Sequence, residues 1–407
     1  MPGNLNDAGE AQGSWGLILL IYAVGVLSAA TISQAIPIIG TLARLFHAGS
    51  QAGWIISIPS ALVAVGALLA GWLVDRFGDK AVLLVGSVII ILGDVGAAEA
   101  ASLRWLLGMR VLEGVGYFCI SVAALAILTR TTHGKRRNSA LALWSSYIPM
   151  SFALPFLFAG EFAGIDRWRW AFNGHALMLA ALFVIAVFVL PSGRPAAGGS
   201  RSAGLATVLR TPGPYVLGFT FACMAFMQTG LLSILPQLLT GQYGISIGVA
   251  GSVGTLGMMC KAAGCLAGGP LLNHRVPPVA IAGAGIALAI AGGVSLGFPL
   301  PSFTLAILTS CIFFFGAGLV VGLWALVPTV APDRTCLGAV SGVVTQVAIW
   351  GVLLGPPAAF AAQAQGGWAL ASAGIIIAGA LVVLCIWLVV SRMTPRAAVA
   401  GSGVAAH

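Results

Sequence analysis

The stretch Gly71-Trp72-Leu73-Val74-Asp75-Arg76-Phe77-Gly78-Asp79-Lys80 joins two long apolar runs and carries four charges within six residues. Elsewhere charge is scarce, since Asp, Glu, Lys and Arg make up only 7% of the chain. Charged residues in such positions mark the short loops between membrane spans. Gly71 lets two helices approach closely, Asp75 can face a helix N-terminus, and Arg76 and Lys80 supply positive charge. The alternative is a charged turn that only orients the chain in the membrane.

The composition around this loop is that of an integral membrane protein. Of 407 residues, 59% are hydrophobic. A soluble domain carries about 25% charged residues and cannot hide so much apolar surface from water. Glycine occurs 55 times, which suits close helix packing in lipid. The seven cysteines show neither zinc spacing nor a disulfide framework, so we expect no metal site and no cofactor.

About twelve apolar runs are long enough to cross a bilayer, for which about 20 residues suffice. They predict an all-α membrane protein with spans near 15–39, 52–74, 80–100, 104–129, 139–163, 171–191, 213–240, 245–271, 277–299, 302–330, 337–362 and 367–391. Residues 192–212 are polar and rich in glycine and serine, which is typical of a linker. We therefore expect two six-helix bundles with pseudo-twofold symmetry, at 1–191 and 213–407.

The net charge of +9 resides mainly in the loops. With both termini in the cytoplasm, thirteen Lys and Arg residues fall on the cytoplasmic side and four on the other, namely Arg44, Arg104, Arg167 and Arg169. This bias predicts that orientation in the inner (cytoplasmic) membrane and removes the reason to expect nucleic-acid binding. Since only Asp7 and Glu10 carry charge before the first run, we expect that run to stay as a span and not to be cleaved as a signal peptide.

The loop at 71–80 resembles the signature loop of the major facilitator superfamily: Gly, three residues, Asp-Arg, any residue, Gly, any residue, and Lys or Arg. In that family the loop latches the two halves of a transporter in one conformation. The resemblance implies the same role for Gly71, Asp75, Arg76, Gly78 and Lys80. It also implies a secondary transporter that works by alternating access and is not an enzyme. No phosphate-binding loop occurs in the sequence, so we expect no ATP drive.

A second match lies in the fourth run, where Arg110-Val-Leu-Glu113-Gly114-Val-Gly116 resembles the family's Arg-x-x-x-Gly-x-Gly element. In the family this arginine is associated with proton coupling. Arg110 and Glu113 are three residues apart, so they share a helix face and can pair. We expect both, with Asp94 of the third run, to couple transport to protons. The alternative is a self-neutralising structural pair near the outer interface.

Other matches are partial. The segment from Gly269 to Asn273 parallels the signature loop but has an amide in place of the carboxylate, and Gly351-Val-Leu-Leu-Gly355-Pro356 resembles the Gly-x-x-x-Gly-Pro element of family helices five and eleven. The stretch from Ala140 to Trp170 resembles the cyanate and nitroimidazole permease-like branch. The fifth run lacks the paired glycines of the antiporter motif, which weighs against drug efflux.

Lys261 is the most informative residue about the solute. It lies deep in the eighth run, where a cation costs at least about 2.5–3.5 kcal/mol. Small residues at helical spacing around it can border a cavity. We therefore expect Lys261 to bind an anionic solute or to titrate; snorkelling or a structural pair with Asp94 or Glu113 is the alternative. The distance to the interface, about ten residues of helix, is too long for one side chain to snorkel.

Further candidates for the solute site are polar or aromatic side chains inside apolar runs, namely Gln34, Gln228, Gln346, Tyr147 and Trp350. Each can contact a solute, or only a neighbouring helix. Soft ligands suited to Cu(I) also occur, but no histidine joins them at helical spacing. They are Met224, Met227, Met258, Met259, Cys260 and Cys265.

Three functions remain open. The first is proton-linked or facilitated transport of a small organic solute, with an anion favoured by Lys261. The second is export of a drug-like compound or siderophore, with import of copper or another metal as a lesser possibility. The third is a sensor or assembly partner, which would have no need for the loop at 71–80. The expected partners are a small-molecule solute, the lipid bilayer and protons, and we expect a monomer.

Overall fold

The computed structural model describes residues 14–401, apart from 134–135, 137–139, 141–142, 145, 163, 165, 192–206, 297, 299 and 333–336. It describes the backbone alone at 65, 67–68, 70–72, 75, 159, 269, 273, 321, 337–339 and 389–401. Most of the predicted linker at 192–212 therefore lies outside the described residues.

Twelve main helices follow one another along the described chain. They are Trp15–Ser33 (α1), Ala52–Phe77 (α2), Asp79–Ala98 (α3), Leu103–Thr131 (α4), Tyr147–Leu157 (α5), Arg169–Val189 (α6), Pro212–Tyr243 (α7), Ile247–Asn273 (α8), Pro278–Ser295 (α9), Phe303–Leu319 (α10), and the two parts of Leu337–Gly401, 337–365 (α11) and 368–401 (α12). Short helical turns extend them at Ile39–Leu45, Gly49–Gln51, Ala159–Phe162, Val320–Leu326 and Val327–Val330.

Nine segments of the described chain are long and apolar enough to cross a membrane. One of them, Val340–Leu388, makes two crossings, because Gly366 and Gly367 depart from helical geometry. Gly367 has a φ of 60°, which glycine adopts at little cost and which ends an α-helix. With α2, which has 26 residues, and the shorter apolar α5, the twelve predicted crossings are present. The prediction of an all-α membrane protein is confirmed.

Two of the predicted spans are shorter than expected, and each ends near a proline. The first was predicted over 15–39, but α1 ends at Ser33 and a turn follows, since Pro37 has no N–H and disfavours helix at the residue before it. The fifth was predicted over 139–163, part of which is not described. There α5 ends at Leu157, and the N–H of Phe158 bonds the carbonyl of Pro155 at 3.3 Å in a tighter turn.

The helix packing repeats between the two bundles. In the first bundle α4 packs on α2 and α3, and α1 packs on α5. In the second, α10 packs on α8 and α9, and α7 packs on the element that contains α11. The bundles meet through α2 with α11 and through α5 with α8, two contacts that a twofold axis would exchange. This is the predicted arrangement of two six-helix bundles with pseudo-twofold symmetry.

Glycines at corresponding places allow this repeated packing. A β-carbon on Gly116 of α4 would lie 2.5 Å from the carbonyl oxygen of Gly86 in α3. In the second bundle a β-carbon on Gly285 of α9 would lie 2.6 Å from the carbonyl oxygen of Gly316 in α10. Both pairs leave no room for a side chain, so the high glycine content serves close helix contact.

Candidate functional site

Five buried polar side chains meet inside the first bundle and are called the N-half cluster: Gln34, Asp94, Arg110, Glu113 and His175. None of them is more than 4% exposed. The Nε2 of Gln34, just beyond the end of α1, donates to Asp94 Oδ1 at 2.8 Å and to Glu113 Oε2 at 3.3 Å. The three predicted coupling residues thus lie together, and Gln34, predicted at the solute, lies with them.

Arg110 is held by one carboxylate and two backbone carbonyls. Its Nη1 pairs with Glu113, its Nε donates to Ile55 O at 2.8 Å, and its Nη2 donates to Thr31 O. Ile55 O is available because Pro59, four residues later, has no N–H to offer it. Thr31 O is available because it belongs to the last turn of α1. The breaks in α1 and α2 therefore create the acceptors that a buried guanidinium needs.

His175 of α6 completes the cluster. Its Nδ1 lies 2.7 Å from Asp94 Oδ2, and its Nε2 lies 2.8 Å from Leu27 O. Sequence reasoning missed this residue. The available signal was that His175 is the only titratable residue in the run predicted over 171–191.

The N-half cluster is packed so tightly that its charges must balance one another, because little water reaches them. A β-carbon on Gly93, beside Asp94, would lie 2.6 Å from Glu113 Cγ. Two acceptors, Glu113 Oε1 and Gln34 Oε1, are buried without a hydrogen-bond partner among the described residues. The cluster is thus rich in hydrogen-bond acceptors.

The loop between α2 and α3 is fastened to the helices of its own bundle. Gly78 has a φ of 86°, which favours glycine at this turn. Asp79 accepts from Arg130 Nε at 2.8 Å and from Arg130 Nη2 at 3.1 Å. Lys80 Nζ donates to Val187 O at 2.8 Å and Leu190 O at 2.7 Å, at the C-terminal end of α6.

The latch residues are therefore described in part. Arg76 is exposed, and at Gly71 and Asp75 the structure describes the backbone alone. A latch between the bundles stays a prediction, while the contacts of Lys80 and Asp79 stabilise the first bundle itself. Sequence reasoning did not anticipate the Asp79–Arg130 pair, because its partners are 51 residues apart.

Replacing Lys80 with methionine is expected to lower the free energy of unfolding by about 1–2 kcal/mol. The change removes two charge-assisted hydrogen bonds and a cation at the C-terminus of α6. Thermal unfolding of the purified protein in detergent measures the effect. Arg210→Met, which removes the same charge from an exposed site, is the control and should stay within about 0.5 kcal/mol of the parent protein. Equal effects of the two variants would contradict a stabilising role for the hydrogen bonds of Lys80.

The two bundles touch closely at the end of the molecule that lies away from the Gly78 loop. A β-carbon on Gly160 would lie 3.1 Å from the Cα of Gly248, which opens α8. Two turns further along α8, the hydroxyl of Thr255 donates to Ala153 O of α5 at 3.3 Å. These contacts close the space between the bundles at this end.

The second pair of helices closes the same end. A β-carbon on Gly53, at the start of α2, would lie 2.5 Å from Pro357 Cα in α11. The tip beyond α1 also approaches the second bundle, since a β-carbon on Gly40 would lie 3.6 Å from Gln237 Nε2 in α7. The structure is therefore a conformation that is closed at the end away from the Gly78 loop.

A double variant with Gly160→Cys and Gly248→Cys is expected to form a disulfide under mild oxidation. The backbones at these positions are within the distance that a disulfide spans. With a protease site inserted at 192–206, the cross-link keeps the two cleaved halves together on a non-reducing gel. The pair Gly160→Cys and Gly268→Cys is the control, since Gly268 lies about 30 Å further along α8. Cross-linking of the control alone would contradict the described conformation.

Lys261 lies on the inner side of α8, near the middle of the helix. Leu256 and Met259 are 42% and 58% exposed, and Ala263 is exposed as well, so these residues mark the outer side. At about 100° per residue, Lys261 lies opposite to them, on the same side as the fully buried Met258. Its side chain is half-buried, and among the described residues it has no ion-pair partner.

The register of α5 against α8 shows what Lys261 faces. The helices are antiparallel, with residue 248 beside 160 and residue 255 beside 153. Continued by six residues along α8, this register brings Lys261 to the depth of residues 147–149, which begin with Tyr147. Lys261 and Tyr147, both predicted at the solute, thus lie at one depth on helices of different bundles that pack together, and the region between these helices at this depth is called the inter-bundle site.

Tyr147 is part of a small aromatic group on the first bundle. Its ring stacks on Trp144 with centroids 4.5 Å apart, and its hydroxyl bonds that of Tyr117 in α4. Nearby, Tyr22 and Ser146 share a hydrogen bond of 2.9 Å. The first bundle therefore offers flat aromatic surfaces and hydroxyl groups at the depth of Lys261.

The remaining candidates are dispersed. Gln228 of α7 is 5% exposed and has no hydrogen-bond partner among the described residues, Gln346 is half-buried, and Trp350 is 44% exposed. In the described part of the chain, no group of three or more His, Cys, Asp or Glu residues could hold a metal ion. The predicted soft ligands diverge, since Met258 is buried and Met259 is exposed.

A family model identifies the chain. The model described as the Major Facilitator Superfamily matches residues 18–356. The chain belongs to the major facilitator superfamily. It is accordingly a multi-pass membrane protein.

Relatives in this superfamily differ in what their names say they move. The chain is 30% identical over 139 residues to the arabinose-proton symporter of Escherichia coli, and 33% identical over 131 residues to the methyl viologen resistance protein SmvA of Salmonella typhimurium. These alignments cover 34% and 32% of this chain, and only 29% and 26% of the relatives' lengths. They therefore do not decide the solute.

Solved structures resemble most of the chain, and one of them is that of a bacterial homologue of the human lysosomal transporter Spinster, in an inward-facing and unoccupied conformation. The TM-score is 0.77 at 19% sequence identity, with 93% of this chain and 99% of that chain covered. At this identity the likeness shows the shared fold alone.

Proposed function

We propose that this superfamily member transports a small organic anion across the inner membrane by alternating access, linked to protons. The observation that carries the proposal is Lys261, a half-buried cation on the inner side of α8 with no ion-pair partner among the described residues. A lysine at this depth is unfavourable unless something offsets its charge. A bound carboxylate would do so.

The aromatic group at the depth of Lys261 suits the rest of such a solute. Tyr147 can donate or accept a hydrogen bond, and its stack with Trp144 presents an aromatic face. A small carboxylate with a flat or apolar body would satisfy both Lys261 and this group. Transporter sites commonly lie at mid-membrane depth between the two repeats, which supports a solute site at the depth of Lys261.

The orientation follows from the basic residues of the loops. We propose that both termini and the Gly78 loop are cytoplasmic, that residues 192–212 link the bundles there, and that the chain acts as a monomer. The contacts at Gly160 and Gly53 then close the periplasmic end, and the inter-bundle site faces the cytoplasm. Alternating access requires the opposite state, in which these contacts separate and the Gly78 loop latches.

Thermal stability of the purified protein against a solute panel tests the proposal. The panel contains benzoate and succinate as anions, arabinose and galactose as neutral solutes, and methyl viologen as a cation. A ligand at a hundred times its Kd stabilises by about 2.7 kcal/mol, which shifts a melting curve measurably. We expect the anions alone to raise the melting temperature. Stabilisation by the sugars alone would contradict the proposal that the solute is an anion.

Proton linkage has a separate test in proteoliposomes. An inward pH gradient should drive accumulation of the stabilising anion, and dissipation of the gradient should abolish it. Equal uptake with and without the gradient would contradict proton linkage and leave facilitated transport.

Export of a cationic drug is the second candidate. It is favoured by the similarity to the methyl viologen resistance protein over about a third of this chain. Stabilisation by methyl viologen, with no response to anions, would favour export of a cationic drug over transport of an anion. Lys261 weighs against it, because a cation in the inter-bundle site repels a cationic solute.

A further inference from the structure

The contacts of His175 require one more proton than a neutral imidazole carries. Both ring nitrogens face acceptors, Asp94 Oδ2 at 2.7 Å and Leu27 O at 2.8 Å. A neutral imidazole has a single N–H and can donate to only one of them. At the other contact, the lone pair of the unprotonated ring nitrogen would face a lone pair of the acceptor oxygen, which is unfavourable. A proton added to the His175–Asp94 pair turns both contacts into hydrogen bonds.

The charges around His175 favour the same state. From α4, Arg110 and Glu113 face the cluster as a pair whose charges cancel, because a guanidinium is always protonated. From α3, Asp94 adds a negative charge, which a proton on the His175–Asp94 pair neutralises, and from α1 Gln34 adds a neutral amide. With His175 protonated the cluster is neutral, and with His175 neutral it holds a net negative charge away from water.

Other titratable groups on the neighbouring elements do not change this balance. The short helix Ala159–Phe162 adds Glu161, which is 72% exposed and lies 3.6 Å from Arg167. At the end of α3, Glu99 is exposed. Water screens such groups from the cluster.

We infer that the His175–Asp94 pair is the proton-binding site of this transporter. The inference rests on the proton linkage proposed above and names the group that carries the proton. An imidazole is a stronger base than a carboxylate, so the proton resides on His175 Nδ1 and is shared with Asp94 Oδ2. It is taken from hydronium and returned to water, with no other bond made or broken. Arg110 and Glu113 then hold the cluster together and do not themselves bind the transported proton.

Proton release and conformational change are coupled by the burial of the cluster. Loss of the proton leaves one uncompensated negative charge among α1, α3, α4 and α6, which is unfavourable without water. The deprotonated protein therefore favours a conformation in which water enters the cluster. The protonated protein favours the closed packing described above.

The protonation state of His175 can be read directly. The protein labelled with ¹⁵N-histidine is placed in lipid nanodiscs, and the ring nitrogens are observed by NMR at pH 7. The signal of His175 is assigned by replacing the other four histidines (His47, His133, His274 and His407) with glutamine, which leaves the N-half cluster intact. We expect both ring nitrogens of His175 to carry protons. A neutral ring with one protonated nitrogen would overturn the inference.

The partner is tested by Asp94→Asn. An asparagine adds no charge, so His175 should become neutral at pH 7 in this variant. An imidazolium that persists in Asp94→Asn would contradict the pair as the proton site. This spectroscopic result does not depend on whether a solute has been found.

A transport measurement separates failure of this inference from failure of the proposed function. Radiolabelled succinate or benzoate, whichever shifts the melting temperature more, is accumulated in proteoliposomes under an inward pH gradient. His175→Gln is expected to lower the accumulation ratio to its value without a gradient, while the control His47→Gln keeps the ratio of the parent protein. Full accumulation by His175→Gln overturns the inference alone. A parent protein that ignores the gradient overturns the proton linkage as well.

Discussion

Replacement of Lys261 by methionine is expected to weaken binding of the anion by about 10-fold to 100-fold. A hydrogen bond to a charged group contributes about 1.5–3 kcal/mol, and each 1.4 kcal/mol is a factor of ten in Kd. Methionine keeps the length and apolar stem of the side chain but removes the ammonium group. Melting curves of the parent and variant proteins across a concentration series of succinate or benzoate give both dissociation constants.

The same variant distinguishes binding from a structural role. Because Lys261 has no ion-pair partner among the described residues, the unliganded Lys261→Met protein should be as stable as the parent or more so. A structural lysine would give the reverse, with lower stability and unchanged affinity. Met259→Ala, on the outer side of the same helix, is the control and should leave the dissociation constant unchanged.

Replacement of Arg110 by methionine is expected to lower the free energy of unfolding by about 3–5 kcal/mol, the largest effect on stability. The change leaves Glu113 as an uncompensated buried carboxylate and removes the donors to Ile55 O and Thr31 O. Chemical unfolding in detergent, followed by the fluorescence of the tryptophans, measures the loss.

A double variant separates the charge from the packing. Arg110→Met with Glu113→Leu removes both charges, so it should recover most of the stability lost in Arg110→Met. A double variant that is as unstable as Arg110→Met would show that the backbone contacts of Arg110 matter more than its charge. A loss below about 1 kcal/mol in Arg110→Met would contradict the buried pair altogether.

Much of the functional site could be predicted from the sequences of the individual helices. Four residues could be recognised because charge is costly in an apolar run, so each of them indicates a partner or a cavity. They are Arg110, Glu113, Asp94 and Lys261. His175 was overlooked because a histidine can be neutral and breaks an apolar run less than a charged residue does. Its role depends on Asp94, which lies 81 positions away in the sequence.

At the helix ends, too, the sequence showed the cause but not its consequence. Pro37 and Pro59 were visible in the sequence, but their effect was not. Each proline frees or redirects backbone groups, and the freed carbonyl of Ile55 matters only because Arg110 of another helix reaches it. Local rules predict where a helix weakens, while the use made of the exposed acceptor depends on the neighbouring helix.

The sequence by itself determined that this is a twelve-helix membrane protein of the major facilitator superfamily, because hydrophobic length and loop charge are local properties that lipid imposes on each segment. Only the tertiary structure decided that Asp94, Arg110, Glu113, Gln34 and His175 form one cluster, and that Lys261 and Tyr147 lie at one depth across the inter-bundle space. Such contacts follow from helix packing and register, which depend on glycine pairs in different segments and leave no periodic signal in any one of them.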